Sequence, residues 1–420
     1  MTNPTDEDAS KVLDLIEEQK ARKAEREKQL ATVRAHFAPL EEKCRRLLTP
    51  LKPADNQTRT KKDFLLTAHR TVDASQLPRP YLIYFLMVEL LGYTDLGRWE
   101  KLAWSIPVDL DGHAYAIEHR KFGVGVFTQD TTVEEVAGAN RIADLVSQAV
   151  RAARPYFEWK AEQAVAASHF NVTNNSGHLF ERFTYLTSLY EETAAEAERR
   201  KDERVVTPIG ENGTLHTFPS YELGRKTRWL AMAAIDAFFS WTEHMLIHLA
   251  ILNSRITTGD EFSKGVVGEW NAKFKLALDI ADDSIMRRHY DELVVLKRRL
   301  RNFVAHGAFG KEGEALHFHS SAGAVPVYYE ADGGKAKYSL TEGLSFDDGQ
   351  ALKTIEDFIA YLWSGPRETA RRYIQDGDLP TILTLAQNGT YAKALTSEDE
   401  MEILLDHLGN EWMNAANMDW

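Results

Sequence analysis

"RKTRWLAMAAIDAFFSWTEHMLIHLAIL", residues 225–252, is apolar on several faces of a helix rather than along one stripe. A helix of that kind must be surrounded by others, so this segment is expected at the centre of a bundle. Reading onward, a turn at "TTGDEFSKG" leads to a helix around Trp270 to Leu278 and then to a helix from Met286 to Ala305. A short β excursion follows, "ALHFHSSAGAVPVYYEADGGKAKYSL", and then a return helix from Asp347 to about Tyr373. The fold class is therefore mainly α, with a C-terminal helical bundle that carries a small β insertion.

Upstream the periodicity changes. "WSIPVDLDGHAYAIEHRKFGVGVFTQD" alternates β-branched and aromatic residues with polar ones around Asp111-Gly112, a two-residue hairpin signal, and predicts a small antiparallel sheet from Trp104 to Phe127. Gly123 and Gly125 lack the spacing and the following helix that a phosphate loop needs, so they read as strand residues. A second hairpin is predicted in "VVTPIGENGTLHTF", with Asn212-Gly213 at its tip. Nearer the N-terminus, Leu30, Val33, Phe37, Leu40, Cys44, Leu47 and Leu51 alternate spacings of three and four, which is a heptad seam. Pro39 interrupts it and fits the first residue of a new helix after a kink. Two uses of the seam stand equal: packing on its own protein, or a coiled-coil dimer.

These readings divide the chain into five parts. Residues 1–49 form a helical arm, and 63–130 a small α+β domain with the hairpin. Residues 131–204 read as a helical linker or scaffold, 205–375 as the bundle, and 376–420 as an acidic, mostly helical tail. The last 27 residues hold seven carboxylates and no Lys or Arg.

Composition narrows the chemistry. The net charge of −13, from 63 acidic and 50 basic residues, means that any contact with a polyanion must be local. One cysteine excludes an internal disulfide framework and, with an N-terminus lacking a basic and then apolar leader, leads us to expect a cytoplasmic protein. The nearest thing to a membrane span, "RPYLIYFLMVELLGY", is short and broken by Glu89. No Gly-Lys-Ser/Thr phosphate loop is present, and Cys44, inside the seam, reads as a small buried hydrophobe and not a nucleophile. His244 and His248 share a helix face but have no evident third ligand, so core or interface histidines are the better reading than a metal site.

"LKRRLRNFVAHGAFG", residues 296–310, ends a helix on Arg, Asn, His and Gly. Arg301 precedes His306 by five residues, Asn302 and His306 share a face at a spacing of four, and Gly307 supplies the stop. Spacing alone is also met by a basic last turn at the negative end of the helix dipole.

In its context this stretch resembles the HEPN family of helical domains. The likeness rests on Glu243 in the long apolar helix ("FSWTEHML"), on "EWNAKFKLALDI", on "HYDELVVLKRRL", and on the terminal "RNFVAHG"; it covers roughly Tyr221 to Tyr373. The resemblance implies an endoribonuclease needing no metal or other cofactor. Two protomers would pair through the bundle, and RNA would be cut by attack of a ribose 2′-OH to leave a 2′,3′-cyclic phosphate. On this view His306 transfers the proton, having an ordinary pKa of ~6.5 near working pH. Arg301 holds the phosphate with its planar fork. Asn302 orients the histidine or the scissile group, and Glu243 positions Arg301 or His306. Lys297, Arg298 and Arg299 add affinity for the RNA backbone. Toxins of the family silenced by a nucleotidyltransferase carry a Tyr two residues after the His; here it is Ala308, which argues against that route. The added N-terminal half resembles larger single-chain members associated with phage defence, with no regulatory partner or trigger legible. The alternative is a non-catalytic module that binds a nucleotide or RNA and dimerises.

Overall fold

A computed structural model describes residues 27–210, 213–305, 316–332, 335–340 and 347–418. It is mainly helical with small sheets, and the chain divides into two compact units. The first comprises residues 1–163 and 409–420; the second comprises 164–408. This boundary differs from the ones expected at 130/131 and 204/205.

In the first unit, helix α1 (27–36) turns at Phe37 into α2 (Ala38–Leu48), with Pro39 in its first turn. The kink falls where the missing N–H of proline costs nothing. Strand β1 (Lys52–Pro53), helix α3 (Phe64–Thr67), strand β2 (His69–Val72) and helix α4 (Pro80–Tyr84) lead to a π-helical turn, Phe85–Leu90. Strands β3 (Leu102–Leu110), β4 (His113–Arg120) and β5 (Gly123–Thr128) form the predicted meander, and the five strands are ordered β1-β3-β4-β5-β2. Asp111 and Gly112 take φ of 55° and 87°, the left-handed pair that a tight two-residue hairpin requires. Gly125 is needed for another reason. A Cβ there would lie 2.5 Å from Arg70 Nε and 2.9 Å from the Val72 carbonyl, so "GVGV" is a strand pressed against its neighbour.

One sheet face buries Ile106, Val108, Ile117, Val124 and Val126 against helix α5 (Val133–Ala152), which contributes Ala139, Ile142, Ala143, Val146 and Ala149. The alanines let helix and sheet approach closely. The heptad seam is spent in the same core: Cys44 and Leu48 are buried, and Val33, Phe37, Leu40 and Leu47 pack at its edge. Of the two uses left open, packing on its own domain is therefore the one described.

Helix α6 (Arg154–Ala166) carries the chain into the second unit, where β6 (Asn171–Val172) precedes α7 (Ser176–Arg199). A hairpin of β7 (Val205–Ile209) and β8 (Gly213–Thr217) then returns the chain into α8 (Pro219–Leu252), which lies along α7. Sixteen residues of α8 are buried, from Ala231 to Leu252, so it is the central helix as expected. Around it stand α9 (Gly259–Val267), α10 (Trp270–Ala277) and α11 (Ser284–Ala305). The β excursion is a three-stranded antiparallel sheet of β9 (Leu316–Ser320), β10 (Gly323–Asp332) and β11 (Lys335–Ser339). The return helix α12 (Asp348–Leu362) is shorter than expected. It stops before Gly365-Pro366, where a φ of 61° and then proline break it, and resumes as α13 (Arg367–Arg371).

The acidic C-terminal segment, expected to be mostly helical, packs as far as residue 408 as part of the second unit. Strand β12 (Thr381–Ile382) pairs with β6, and α14 (Leu383–Gln387), α15 (Thr390–Ala394) and α16 (Glu398–Asn417) follow. Tyr391, Met401 and Leu404 are buried in the second unit's core. The carboxylates mark the outer face of an amphipathic helix, and two of them, Glu398 and Glu400, pair with Arg372 and Lys393.

Candidate functional site

The motif helix α11 begins with a cap. Asp283 Oδ1 accepts hydrogen bonds from the backbone N–H groups of Ile285 at 3.1 Å and Met286 at 2.9 Å. The Tyr361 hydroxyl donates to the same carboxylate at 2.8 Å, tying the start of α11 to the end of α12. These bonds hold the Asp283 carboxyl below the ordinary carboxylate range, the backbone N–H of Met286 first among them and Tyr361 and Arg367 adding to it. Met286, His289, Leu293 and Leu296 are buried at helical spacing, so one stripe of α11 faces the bundle.

One turn before Arg301 the helix is fastened to α8. Lys297 Nζ lies 3.2 Å from Glu243 Oε1, and its ammonium sits 5.3 Å from the ring centres of both Phe239 and Trp270. Lys273, almost fully buried, brings its Nζ to 3.9 Å from the other Glu243 oxygen. Trp270 is itself fixed: its indole N–H donates to Thr242 Oγ1 at 3.0 Å, and its ring stacks on Tyr290 with planes 3° apart. A cation held between a carboxylate and two aromatic faces locks the rotation of α11 about its axis.

The sequence-predicted site residues therefore separate into three groups. Glu243 faces α11, as an inward acidic residue should, but its described partners are Lys297 and Lys273. Lys297 is half-buried in that contact, where it joins α11 to α8. Arg298 is exposed on the opposite side. Arg299, Arg301 and Asn302 lie within the helical span of α11, which is described as far as Ala305. His306 and Gly307 lie outside the described residues. The aromatic and lysine surroundings of Glu243 were not legible beforehand, because Phe239, Trp270, Lys273 and Lys297 come from three helices.

The paired histidines of α8 are a distinct feature. Their Nε2 atoms are 3.0 Å apart, the backbone N–H of Asn175 donates to His244 Nε2 at 2.8 Å, and His248 Nδ1 lies 2.9 Å from Thr381 Oγ1. Burial, with His244 adding to it, pushes His248 down to about 3, and burial lowers His244 as well. The pair is a neutral joint between α8 and the β6–β12 segments, in line with the core reading. Among the described residues no group of three or more His, Cys, Asp or Glu gathers to hold a metal. No helix among them is long and apolar enough to cross a membrane.

In the first unit the sequence signal missed a buried ion pair. Glu89 Oε2 meets Lys160 Nζ at 2.6 Å and accepts from the Tyr156 hydroxyl at 3.1 Å, while the Lys160 ammonium sits 4.5 Å from the Phe85 ring centre. The charge that broke the apolar run "RPYLIYFLMVELLGY" is thus a core contact made by the π-helical turn. No protein-family model, characterised protein or solved structure matches the chain.

Proposed function

We propose that this chain is a metal-independent endoribonuclease of the HEPN type, acting as a homodimer that brings two copies of the Arg301-to-His306 motif together. The reading is supported above all by the fastening of the motif helix. Glu243, Lys297, Phe239 and Trp270 dock α11 on the central helix one turn before Arg301, as positioning a phosphate-binding group demands. Arg301 then neutralises the scissile phosphate, His306 moves the proton, and Asn302 orients one of them. Arg298 and Arg299 supply backbone affinity, whereas Lys297 acts through the helix joint. Such an enzyme arrests growth by cutting cellular RNA, the behaviour of a toxin-like or antiphage effector.

The test is cleavage of mixed tRNA and mRNA in excess EDTA by the wild type, Arg301→Ala and His306→Ala, with the product ends analysed. Cleavage by the wild type alone, losing at least about 100-fold in either variant and leaving 2′,3′-cyclic phosphates, is expected. RNA binding without cleavage, equal in wild type and His306→Ala, would replace this reading by the non-catalytic module.

A further inference from the structure

The α7–α8 pair continues well past the core of its unit. No residue from 184 to 210 or from 213 to 230 is buried, whereas burial along α8 is nearly continuous from Ala231 onward. The twelve residues of α8 before Ala231 extend the helix by about 18 Å at its ordinary rise. The ribbon β7–β8 closes this stalk, with every residue of both strands exposed.

The register sorts the ribbon into two faces. Val205 pairs with Thr217, Thr207 with Leu215 and Ile209 with Gly213, so Val205, Thr207, Ile209, Leu215 and Thr217 share one face. That face carries no charge. Ile209 is 55% and Leu215 47% exposed, and the adjoining stalk exposes Tyr221 at 75% and Trp229 at 58%. A two-stranded ribbon alone in water is marginal at best and needs its apolar face covered. A nucleic-acid ligand would call for Arg or Lys on this face, and there is none. Pro208, which offers no N–H, blunts the outer edge of β7 against strand addition, leaving the face as the surface to be covered.

We infer that this stalk is a self-association surface whose occupant is the same stalk of a second copy of this chain. A twofold interface must be self-complementary. The ribbon face meets that need by packing on itself. The flanking stalk carries exposed charges of both signs, Glu191 and Glu192 on α7 and Arg225 and Arg228 on α8, as a self-complementary surface needs. The exposed run also suffices, since a stable interface takes roughly 20–30 residues per side. This contact precedes the bundle core in the chain and stands whether or not RNA is cut.

The test uses the full chain. Sedimentation equilibrium should give twice the chain mass of 47.6 kDa, and Ile209→Asp with Leu215→Asp should weaken the dimer at least about 100-fold while leaving circular dichroism unchanged. Leu215→Cys supplies a second reading. The one native cysteine, Cys44, is buried, so a short bis-maleimide should couple Leu215→Cys chains into a covalent dimer. The control Phe122→Cys, at a position 84% exposed in the first unit, should not couple. A wild type that is monomeric at about 50 µM, a dimer that the Asp pair leaves intact, or failure of Leu215→Cys to couple overturns the proposal. Loss of RNA binding by the Asp pair in a monomeric wild type overturns it in favour of a nucleic-acid surface.

Discussion

Two hairpins of this chain carry the same kind of turn signal and meet opposite surroundings. Asp111-Gly112 joins β3 to β4 inside a five-stranded sheet, where Ile106, Val108 and Ile117 are fully buried. The second signal, Asn212-Gly213, leads into β8, and that strand and its partner β7 are exposed throughout. The comparison teaches that a turn is written locally, by residues tolerant of left-handed backbone, whereas burial depends on what the rest of the chain brings over the strand.

The largest expected effect tests the buried hairpin. Ile117→Ala should lower stability of the first unit by about 2–5 kcal/mol in a denaturant titration, because a fully buried site cannot refill the space. A cost below about 1 kcal/mol would mean that the sheet is less well covered than its burial implies.

Next comes the ion pair that has no counterpart in the stalk. Glu89→Ala should cost about 3 kcal/mol by leaving the Lys160 ammonium and the Tyr156 hydroxyl without their acceptor. Recovery in the double variant Glu89→Ala with Lys160→Met would identify the stranded charge as the cause; equal loss in single and double variants would assign it to packing.

The two units should also respond differently to acid. His244, His248 and His289 of the second unit are all held below the ordinary histidine value by burial, against His119 in the first. A histidine whose folded value is depressed takes up its proton in the unfolded chain first. Its contribution is complete above the unfolded value near ~6.5 and drains as pH falls towards the folded value. For His248 that window runs from ~6.5 down to about 3. Calorimetry between pH 7.5 and 5 should show the second unit losing stability with a slope that His248→Gln reduces by about 1.4 kcal/mol per pH unit. An unchanged slope in His248→Gln would assign the acid response elsewhere.

The smallest effect belongs to the exposed ribbon. Leu215→Ala, measured where the chain is monomeric, should move folding stability by no more than about 0.5 kcal/mol. A cost matching that of Ile117→Ala would erase the contrast between the hairpins.

Much of this architecture was legible because it rests on short-range rules. The meander and the ribbon announced themselves by Xaa-Gly turns, and the central helix by apolar residues on several faces. The acidic tail was read as mostly helical, but counting its seven carboxylates hid Met401 and Leu404, two apolar positions that face a core composed of distant helices. The same limit applied to the region 131–204. Its alanines at 139, 143 and 149 look neutral in sequence, yet they set how closely α5 approaches the sheet.

By itself, the sequence determined a mainly helical chain, its hairpins, the kink ahead of Pro39 and the placing of Arg301 and Asn302 on a helix. These depend on backbone preference and periodicity, which act over a few residues. Only the tertiary structure decided that the heptad seam is spent inside its own domain, that Glu243 grips Lys297 over Phe239 and Trp270, and that His244 meets His248, Asn175 and Thr381. Such contacts join residues from separate elements, and burial and charge pairing acquire their energies only once those elements are brought together.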